Sequence, residues 1–507
     1  MKTHAVISII IVVAASFFLR AHRLAEAPPS LYIDEASFGY NALSIIETGR
    51  DEFGRRLPLY TRSFHTGKNP VYLYSTVASV RVFGLNDFSV RLPAAVFGAL
   101  EVLFLYFLVL EMGGGHWFAL LAALLLGVTP WSFHLSRFGI EPTSLSCVTV
   151  AAAACLVRAL RFPAWALPAA ALFGLSFYCY APAFAFVPLF LLGFLILFRK
   201  EVRRNLKTYA VSGLVLIVLF LPHLLPGLKG GEQAEHFKKS LVTHPANTQF
   251  NKNLLRQSPP YGAGWIIEND ALRPAAVVLR NYFSTFSRDY LFRRGDTSTR
   301  RQHVSGYGVL HRWQAILALL GIVTGFLVFA DRRFFALVVW WLLVFPVGSS
   351  LTVQWVPSLT RTVSGASVFA IFSAAGFVFL WRRGGRLFET PASRAAYRLA
   401  LIVAAVPLCI NAAGYFGKYF RDYPAESAEA WYYGVREGLL RAEEISDEYD
   451  VVIVDEKIAF VYMCVLYYTG YPPERLQREK PLKWHGPYRV GALGKYVVGP
   501  VRPCPEG

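Results

Sequence analysis

Long apolar runs separated by short polar or charged segments dominate this chain. A helix needs about 20 predominantly apolar residues to cross the hydrocarbon core of a bilayer, and several runs fall only a few residues short of that length. The pattern predicts an all-α polytopic membrane protein with about eleven transmembrane helices. The runs are, in order, Ala5–Leu19, Ser89–Leu110, Trp117–Leu135, Thr143–Val157, Ala164–Tyr180, Phe184–Phe198, Tyr209–Leu221, Trp313–Ala330, Phe334–Leu351, Thr362–Trp381 and Leu399–Tyr415.

Basic residues between the runs predict the orientation. Lys and Arg cluster in alternate connections, at 158–161, 199–207, 332–333 and 382–398, whereas the short connections on the other side carry almost none. Because cytoplasmic loops are enriched in Lys and Arg, we expect a multi-pass protein of the plasma or inner membrane with a cytoplasmic N-terminus and an extracytoplasmic C-terminus. The first run lacks a small-residue cleavage site and is predicted to be an uncleaved span.

This orientation leaves three segments outside. The first outer loop, 21–88, contains helical patterns at Phe38–Ile46 and Tyr72–Phe83 that are too short and polar to span, so we expect them at the membrane interface. The second outer loop, 222–312, is polar and basic. The tail, 416–507, follows a transmembrane domain predicted over 1–415.

The tail is predicted to be a small α/β extracytoplasmic domain. Trp431–Ile445 has a helical pattern, and Val451–Val454 has the apolar pattern of a buried strand. Cys464 and Cys504 could form a disulfide in an oxidising compartment.

Composition agrees with lipid as the solvent and removes one class of partner. Only 17% of the 507 residues are charged and 55% are hydrophobic, whereas soluble proteins average about 25% charged residues. The net charge of +18 would suit nucleic acid. The cations lie between apolar runs without a recognition motif, so we expect no nucleic-acid partner.

Two adjacent carboxylates, Asp34 and Glu35, follow the first span. Such a pair beside a membrane is costly unless it is solvated, paired or functional. Asp34 is therefore a candidate general base and Glu35 a second candidate catalytic acid. The alternative is a capping role, because Asp34 precedes a helical pattern that begins near Ala36.

A third acid, Glu141, precedes Pro142 where the third run returns into the fourth. It lies on the same predicted face as Asp34 and is a candidate catalytic residue. Its alternative is an N-cap-like role before the proline.

Lys68 lies in His65-Thr66-Gly67-Lys68-Asn69-Pro70, at the start of a helical pattern. An ammonium group and a helix N-terminus together suit a lipid phosphate, and His65 and Tyr72 are candidate substrate ligands beside it. The alternative for Lys68 is a side chain that reaches anionic headgroups.

Two arginines are further phosphate candidates. Arg91 opens the second span, where a structural ion pair with a loop acid is the alternative role. Arg288, which is near Arg293 and Arg294, belongs to a basic loop whose side chains would otherwise bind lipid headgroups.

These motifs resemble the GT-C superfamily of polytopic glycosyltransferases, and more narrowly the protein O-mannosyltransferases and the bacterial lipid A aminoarabinose transferases. Tyr178 is a candidate substrate ligand within one of them. The resemblance is carried by Tyr32-Ile33-Asp34-Glu35, Gly67-Lys68-Asn69-Pro70-Val71-Tyr72-Leu73-Tyr74, Phe88-Ser89-Val90-Arg91-Leu92-Pro93-Ala94, Ser136-Arg137-Phe138-Gly139-Ile140-Glu141-Pro142, Gly174-Leu175-Ser176-Phe177-Tyr178-Cys179-Tyr180 and Asn281-Tyr282-Phe283-Ser284.

The resemblance implies transfer of a sugar, with inversion, from a polyprenyl phosphate carrier to a glycolipid, polysaccharide or protein on the outer face. Asp34 matches the essential acid and would be the base, whereas Glu141 matches a position where relatives often have Asp. Lys68 matches a lysine near the carrier phosphate, although Asn69 interrupts the usual Lys-Pro-Pro. No DxD pair occurs in the first outer loop, so no cofactor or metal is required, although a divalent ion is compatible.

Two other functions remain open. A pyrophosphate-carrier oligosaccharide ligase or polymerase would need more cations or a metal opposite the leaving group. A lipid-linked substrate transporter or flippase would need ionisable residues at mid-span, where Glu101 is the main exception to nearly uncharged spans.

Overall fold

The computed structural model describes residues 3–63, 66–223, 238–257, 264–388, 390–479 and 492–500. His65 and Cys504 lie outside these ranges. The helices, numbered in chain order, are α1 (Thr3–Ala21), α2 (Ile33–Thr48), α3 (Pro70–Phe83), α4 (Asp87–Glu111), α5 (His116–Val128), α6 (Pro130–Leu135), α7 (Pro142–Ala159), α8 (Ala166–Ser176), α9 (Ala183–Leu197), α10 (Arg199–Arg204), α11 (Leu206–Phe220), α12 (Thr248–Gln257), α13 (Gly264–Glu268), α14 (Leu272–Ser284), α15 (Gln314–Thr324), α16 (Arg332–Val344), α17 (Val347–Ser350), α18 (Gly365–Leu387), α19 (Pro391–Arg421), α20 (Tyr423–Ser427), α21 (Val435–Glu444), α22 (Tyr462–Tyr468) and α23 (Pro473–Glu479).

Strands are few in the described ranges and lie outside the apolar helices. They are β1 (Thr61–Ser63), β2 (Thr66–Lys68), β3 (Val452–Asp455), β4 (Ala492–Leu493) and β5 (Tyr496–Gly499). Strands β1 and β2 form an antiparallel hairpin, and the other three form a sheet in the order β3-β5-β4. In that sheet, β3 and β5 are parallel and β4 and β5 are antiparallel.

The apolar helices coincide with the predicted runs. Within the described ranges, seven helices are long and apolar enough to cross a membrane, and four shorter apolar helices accompany them. The prediction of an all-α polytopic membrane protein is confirmed, while the number of spans stays a prediction. The long helices occupy Thr3–Ala21, Asp87–Glu111, Pro142–Ala159, Leu206–His223, Arg332–Ser350, Gly365–Arg383 and Pro391–Arg421.

The third run, Trp117–Leu135, is not one continuous helix. It divides into α5 and α6 at Thr129, whose backbone is extended at φ −64° and ψ 129°. The cause is Pro130, which cannot donate a helical hydrogen bond and disfavours helical geometry in the preceding residue. The short α6 then leads to the turn that holds Glu141.

The first outer loop folds as the two predicted short helices. Helices α2 and α3 pack against each other and against the start of α4. The hairpin between them pairs Thr61 with Lys68. At one end of the apolar bundle, α2 and the hairpin therefore present Asp34 and Lys68 together.

The tail forms the predicted small α/β appendage and packs directly on α2. Helix α22 contacts α2, and a Cβ atom at Gly39 would clash with the ring of Tyr467. The predicted helix Trp431–Ile445 begins later, at Val435, because Tyr432 and Gly434 have positive φ values of 54° and 93°.

Helix α19 crosses the predicted boundary at residue 415 without a break. Its 31 residues continue to Arg421, and little of its apolar stretch is buried by other parts of the protein. The division into domains at that point stays a prediction. Cys464 is buried in α22, and because Cys504 lies outside the described residues, the disulfide that the two could form stays a prediction.

Candidate active site

Asp34 lies in the first turn of α2 with a side chain that is 38% exposed. Its carboxylate pairs with the ammonium group of Lys68. Glu35, rather than Asp34, caps the helix, since its Oε2 accepts a hydrogen bond of 3.0 Å from the backbone N–H of Tyr32. The carboxylate of Asp34 is thus left available at the surface.

Lys68 ends β2 and is held beneath Asp34. Its side chain is only 5% exposed, and its ammonium group lies 5.1 Å from the centre of the Phe38 ring. Burial alone would lower the pKa of Lys68, but the carboxylates of Asp34 and Glu141 outweigh it and raise that pKa above its ordinary value. The side chain therefore stays cationic at neutral pH.

Glu141 occupies the position before α7 but does not cap that helix with its side chain. Its Oε1 instead accepts hydrogen bonds of 3.4 Å from the backbone N–H and from the side-chain amide of Asn69. Burial raises the pKa of Glu141, with Lys68 opposing the shift and Asp34 adding to it. We call Asp34, Lys68 and Glu141 the rim cluster.

Glu35 and Arg91 form a second pair that is closed to solvent. Their side chains are 1% and 0% exposed, and Glu35 accepts hydrogen bonds of 2.8 and 3.0 Å from Arg91 and of 2.6 Å from the backbone N–H of Gly139. Arg91 also donates to three carbonyl oxygens of the segment 24–30. Arg91 therefore forms the structural ion pair that was the alternative to phosphate binding, and the charged groups of both side chains are buried within this pair.

The two candidate tyrosines lie in the walls of this region. Tyr72 is fully buried, and its hydroxyl donates to the carbonyl of Val90 at 2.9 Å. The hydroxyl of Tyr178 donates to the carbonyl of Leu219 at 2.8 Å, and its ring lies 4.5 Å from that of His223. Because both hydroxyls are occupied, these tyrosines support the site through packing.

Arg288 is exposed and has no recorded contact with the rim cluster in the part of the chain that the structure describes. The candidate ligand His65 lies outside the described residues. No group of three or more His, Cys, Asp or Glu side chains among the described residues is arranged to hold a metal ion.

A fourth acid, Glu52, was not among the predicted residues. It is 2% exposed, and it exchanges two hydrogen bonds, of 3.0 and 3.2 Å, with Asn41 of α2. Burial raises the pKa of Glu52 to about 8, with the Asn41 amide, Ser63 and Lys68 opposing the shift. Its signal in the sequence is the second acid pair of the first outer loop, Asp51-Glu52.

A second missed feature adjoins Asp34. The rings of Tyr32 and Tyr432 stack with centres 5.4 Å apart, and the guanidinium group of Arg301 lies 3.4 Å from the centre of the Tyr32 ring. Tyr32 belongs to the motif around Asp34, but nothing in the sequence distinguishes Arg301 from its basic neighbours or brings Tyr432 near it.

Comparison with known protein families finds a resemblance to mannosyltransferases over part of the chain. Residues 67–225 match the family model for dolichyl-phosphate-mannose-protein mannosyltransferase. The match includes Lys68 and Glu141 but begins after Asp34. A segment of 157 residues, 30% of this chain, is 31% identical to YycA of Bacillus subtilis (strain 168), which is provisionally named a mannosyltransferase, and spans 23% of that protein.

Two solved membrane proteins share the architecture along most of the chain. The oligosaccharyltransferase of Archaeoglobus fulgidus superposes with a TM-score of 0.55 at 14% identity, covering 92% of this chain and 63% of that protein. ArnT of Cupriavidus metallidurans, solved with undecaprenyl phosphate, superposes with a TM-score of 0.53 at 15% identity, covering 93% and 86%. These similarities confirm the predicted fold.

Proposed function

Because this chain is a polytopic membrane protein with the GT-C fold, we propose that it transfers a sugar from a polyprenyl phosphate carrier to an acceptor on the extracytoplasmic side of the membrane. The donor class is supported by the neighbours, since ArnT was solved with undecaprenyl phosphate and the archaeal oligosaccharyltransferase AglB with a dolichol phosphate. The rim cluster is the observation that carries the proposal. It combines an accessible carboxylate with a buried cation and a second, half-buried acid.

The proposed reaction is a single displacement. The hydroxyl oxygen of the acceptor forms a bond to the anomeric carbon while Asp34 accepts the hydroxyl proton. The bond from that carbon to the phosphate oxygen breaks, and the polyprenyl phosphate leaves with the bonding electrons. Because attack and departure occur on opposite faces of the sugar, the anomeric configuration inverts.

Lys68 has two functions in this scheme. Without donor, its ammonium group pairs with Asp34 and is close enough to Glu141 to be influenced by its charge. A bound phosphate competes for that ammonium group, which stabilises the negative charge that develops on the leaving group. The same competition leaves Asp34 with a weaker counter-ion and so makes it a better proton acceptor.

Glu141 positions rather than reacts in this proposal. Its hydrogen bonds to Asn69 tie the end of the hairpin to the turn before α7. Lys68 immediately precedes Asn69, so this tie fixes the ammonium group relative to Asp34. The longer Glu side chain, where relatives often have Asp, suits that reach.

The decisive experiment is transfer by the purified full-length chain in lipid nanodiscs. Labelled mannose, glucose and aminoarabinose are supplied on polyprenyl phosphate, with a crude membrane fraction as acceptor. Asp34→Asn should lower the rate by about 10²–10⁴-fold, the usual contribution of a general base. Glu26→Gln is the matched control, because this acid of the same loop is exposed and, among the described residues, pairs with Arg23 alone.

Two results would count against the proposal. Transfer that continues unchanged in Asp34→Asn removes this residue from the reaction. Absence of transfer from every monophosphate donor, with transfer from a pyrophosphate-linked oligosaccharide, would favour the ligase alternative.

A further inference from the structure

Three part-exposed side chains from distant segments converge beside Asp34. Tyr32 immediately precedes α2, Arg301 lies in the turn Arg300–Gln302, and Tyr432 belongs to the appendage. The tyrosine rings stack at 30° to one another, and the guanidinium group of Arg301 covers the face of Tyr32. Asp34 is close enough to influence the ionisation of Tyr432. We call these three residues the platform.

The polar groups of the platform are largely unused. One N–H of Arg301 donates to the carbonyl of Ala430 at 3.2 Å, but a guanidinium group carries several donors in a planar fork. In the ranges that the structure describes, Arg301 has no acidic partner, and the phenol hydroxyls of Tyr32 and Tyr432 form no hydrogen bond. These groups are thus available to a ligand.

The platform is nevertheless held in place. The backbone carbonyl of Arg301 accepts hydrogen bonds from the ring of His134 at 2.8 Å and from the hydroxyl of Tyr423 at 2.6 Å. Tyr432 has a φ of 54°, a backbone conformation that a bulky residue keeps only when its surroundings impose it. A prearranged surface of this kind loses little conformational freedom when it binds.

We propose that the platform is a subsite for an anionic sugar unit of the acceptor. This inference rests on the proposed function, and it names the substrate class that the same site takes. The ring of Tyr432 packs against the apolar C–H face of a sugar ring, the phenol hydroxyls bond its hydroxyl groups, and the arginine fork binds a carboxylate or phosphate. A sugar bound there lies next to Asp34, so its hydroxyl is placed for deprotonation.

The test is a binding measurement that needs no turnover. The probes are a trisaccharide of galacturonate and the neutral galactose trisaccharide, titrated against the full-length protein in nanodiscs by calorimetry. We expect galacturonate to bind at least about tenfold more tightly, since a hydrogen bond to a charged group contributes about 1.5–3 kcal/mol. Equal affinity for the two trisaccharides would overturn the proposal.

Variants assign the preference to the platform. Arg301→Gln should abolish the preference for galacturonate, and Tyr432→Ala should weaken the binding of both trisaccharides. Arg301→Lys keeps the charge without the planar fork and should retain part of the preference, which guards against a folding defect in Arg301→Gln. The matched control is Arg475→Gln, because Arg475 stacks on Tyr471 in the same appendage but pairs with Glu479. Full preference in Arg301→Gln would contradict the proposal.

The anion that Arg301 recognises has a second conceivable source, the phosphate of the donor. Decaprenyl phosphate is therefore added before the galacturonate titration. Simultaneous binding assigns the platform to the acceptor, whereas competition between the two assigns it to the donor and overturns the proposal. Asp34→Asn should lower transfer by about 10²–10⁴-fold and leave galacturonate affinity within about twofold, so the failure of either idea is distinguishable from the failure of the other.

Discussion

Asp34 and Glu35 are neighbours in the chain, and each has a cationic partner, yet their surroundings are opposite. Asp34 is 38% exposed and pairs with Lys68, whereas Glu35 and Arg91 are almost completely buried. Successive residues of a helix point about 100° apart, so one carboxylate faces the rim and the other faces the bundle. The difference teaches that Asp34 remains accessible because Glu35 caps the helix and neutralises the buried Arg91.

The largest effect on folding should come from Glu35→Gln. This substitution leaves the guanidinium group of Arg91 buried without a counter-ion, which costs about 3–5 kcal/mol of the free energy of unfolding. Asp34→Asn should cost less, because Asp34 is 38% exposed and Glu141 still compensates the charge of Lys68. Thermal unfolding of both variants in the same detergent measures the contrast, and equal destabilisation would refute it.

Glu52 extends the comparison to a buried acid whose hydrogen-bond partner is an amide. Burial raises its pKa to about 8, so the folded protein binds a proton that the unfolded chain releases above about pH 4.3. The stabilisation that comes from this protonation of Glu52 is complete below about pH 4.3 and is lost as the pH rises toward 8. Thermal midpoints between pH 5 and pH 9 should fall accordingly, and Glu52→Gln should flatten that part of the profile.

Lys68→Ala removes the cation of the Asp34–Lys68 pair. Loss of a charge-assisted contact with phosphate should raise the KM for donor by roughly 10–100-fold, corresponding to about 1.5–3 kcal/mol. The KM for acceptor should change much less. Steady-state kinetics with each substrate varied in turn separates the two, and equal increases would remove the phosphate role.

The smallest effect is expected at Gly39, on the buried face of α2. Gly39→Ala places a methyl group against Tyr467 and should destabilise the protein by about 1–3 kcal/mol. Gly213→Ala is a suitable control, because no atom of the described residues lies within 4 Å of a Cβ placed there. A neutral Gly39→Ala would mean that the appendage shifts easily on this helix.

The membrane architecture and the three residues of the rim cluster could be predicted from the sequence. Apolar runs and alternating charge need only local composition, and Asp34, Lys68 and Glu141 all lie at the ends of predicted helices. The division of labour between Asp34 and Glu35 was not accessible, because it depends on where Arg91 lies in three dimensions.

The remaining features depend on contacts between distant segments. Tyr432 reaches Tyr32 across 400 positions of the chain, and Arg301 is one of several arginines in a basic loop. Glu52 carries a visible acid signal, but its burial arises from packing of the loop on α2, which no local pattern encodes. The break at Thr129 was predictable from Pro130, but the apolar run concealed it.

The long helix α19 ties the site to the lipid around it. At about 1.5 Å per residue its 31 residues extend roughly 46 Å, well beyond a hydrocarbon core of about 30 Å. Since few protein neighbours in the described ranges enclose its apolar stretch, we expect a bilayer of different thickness to be accommodated by tilt of this helix. The end of the helix carries Tyr419, which packs against Arg137, so such a tilt would be transmitted to the turn before α7 that also holds Glu141.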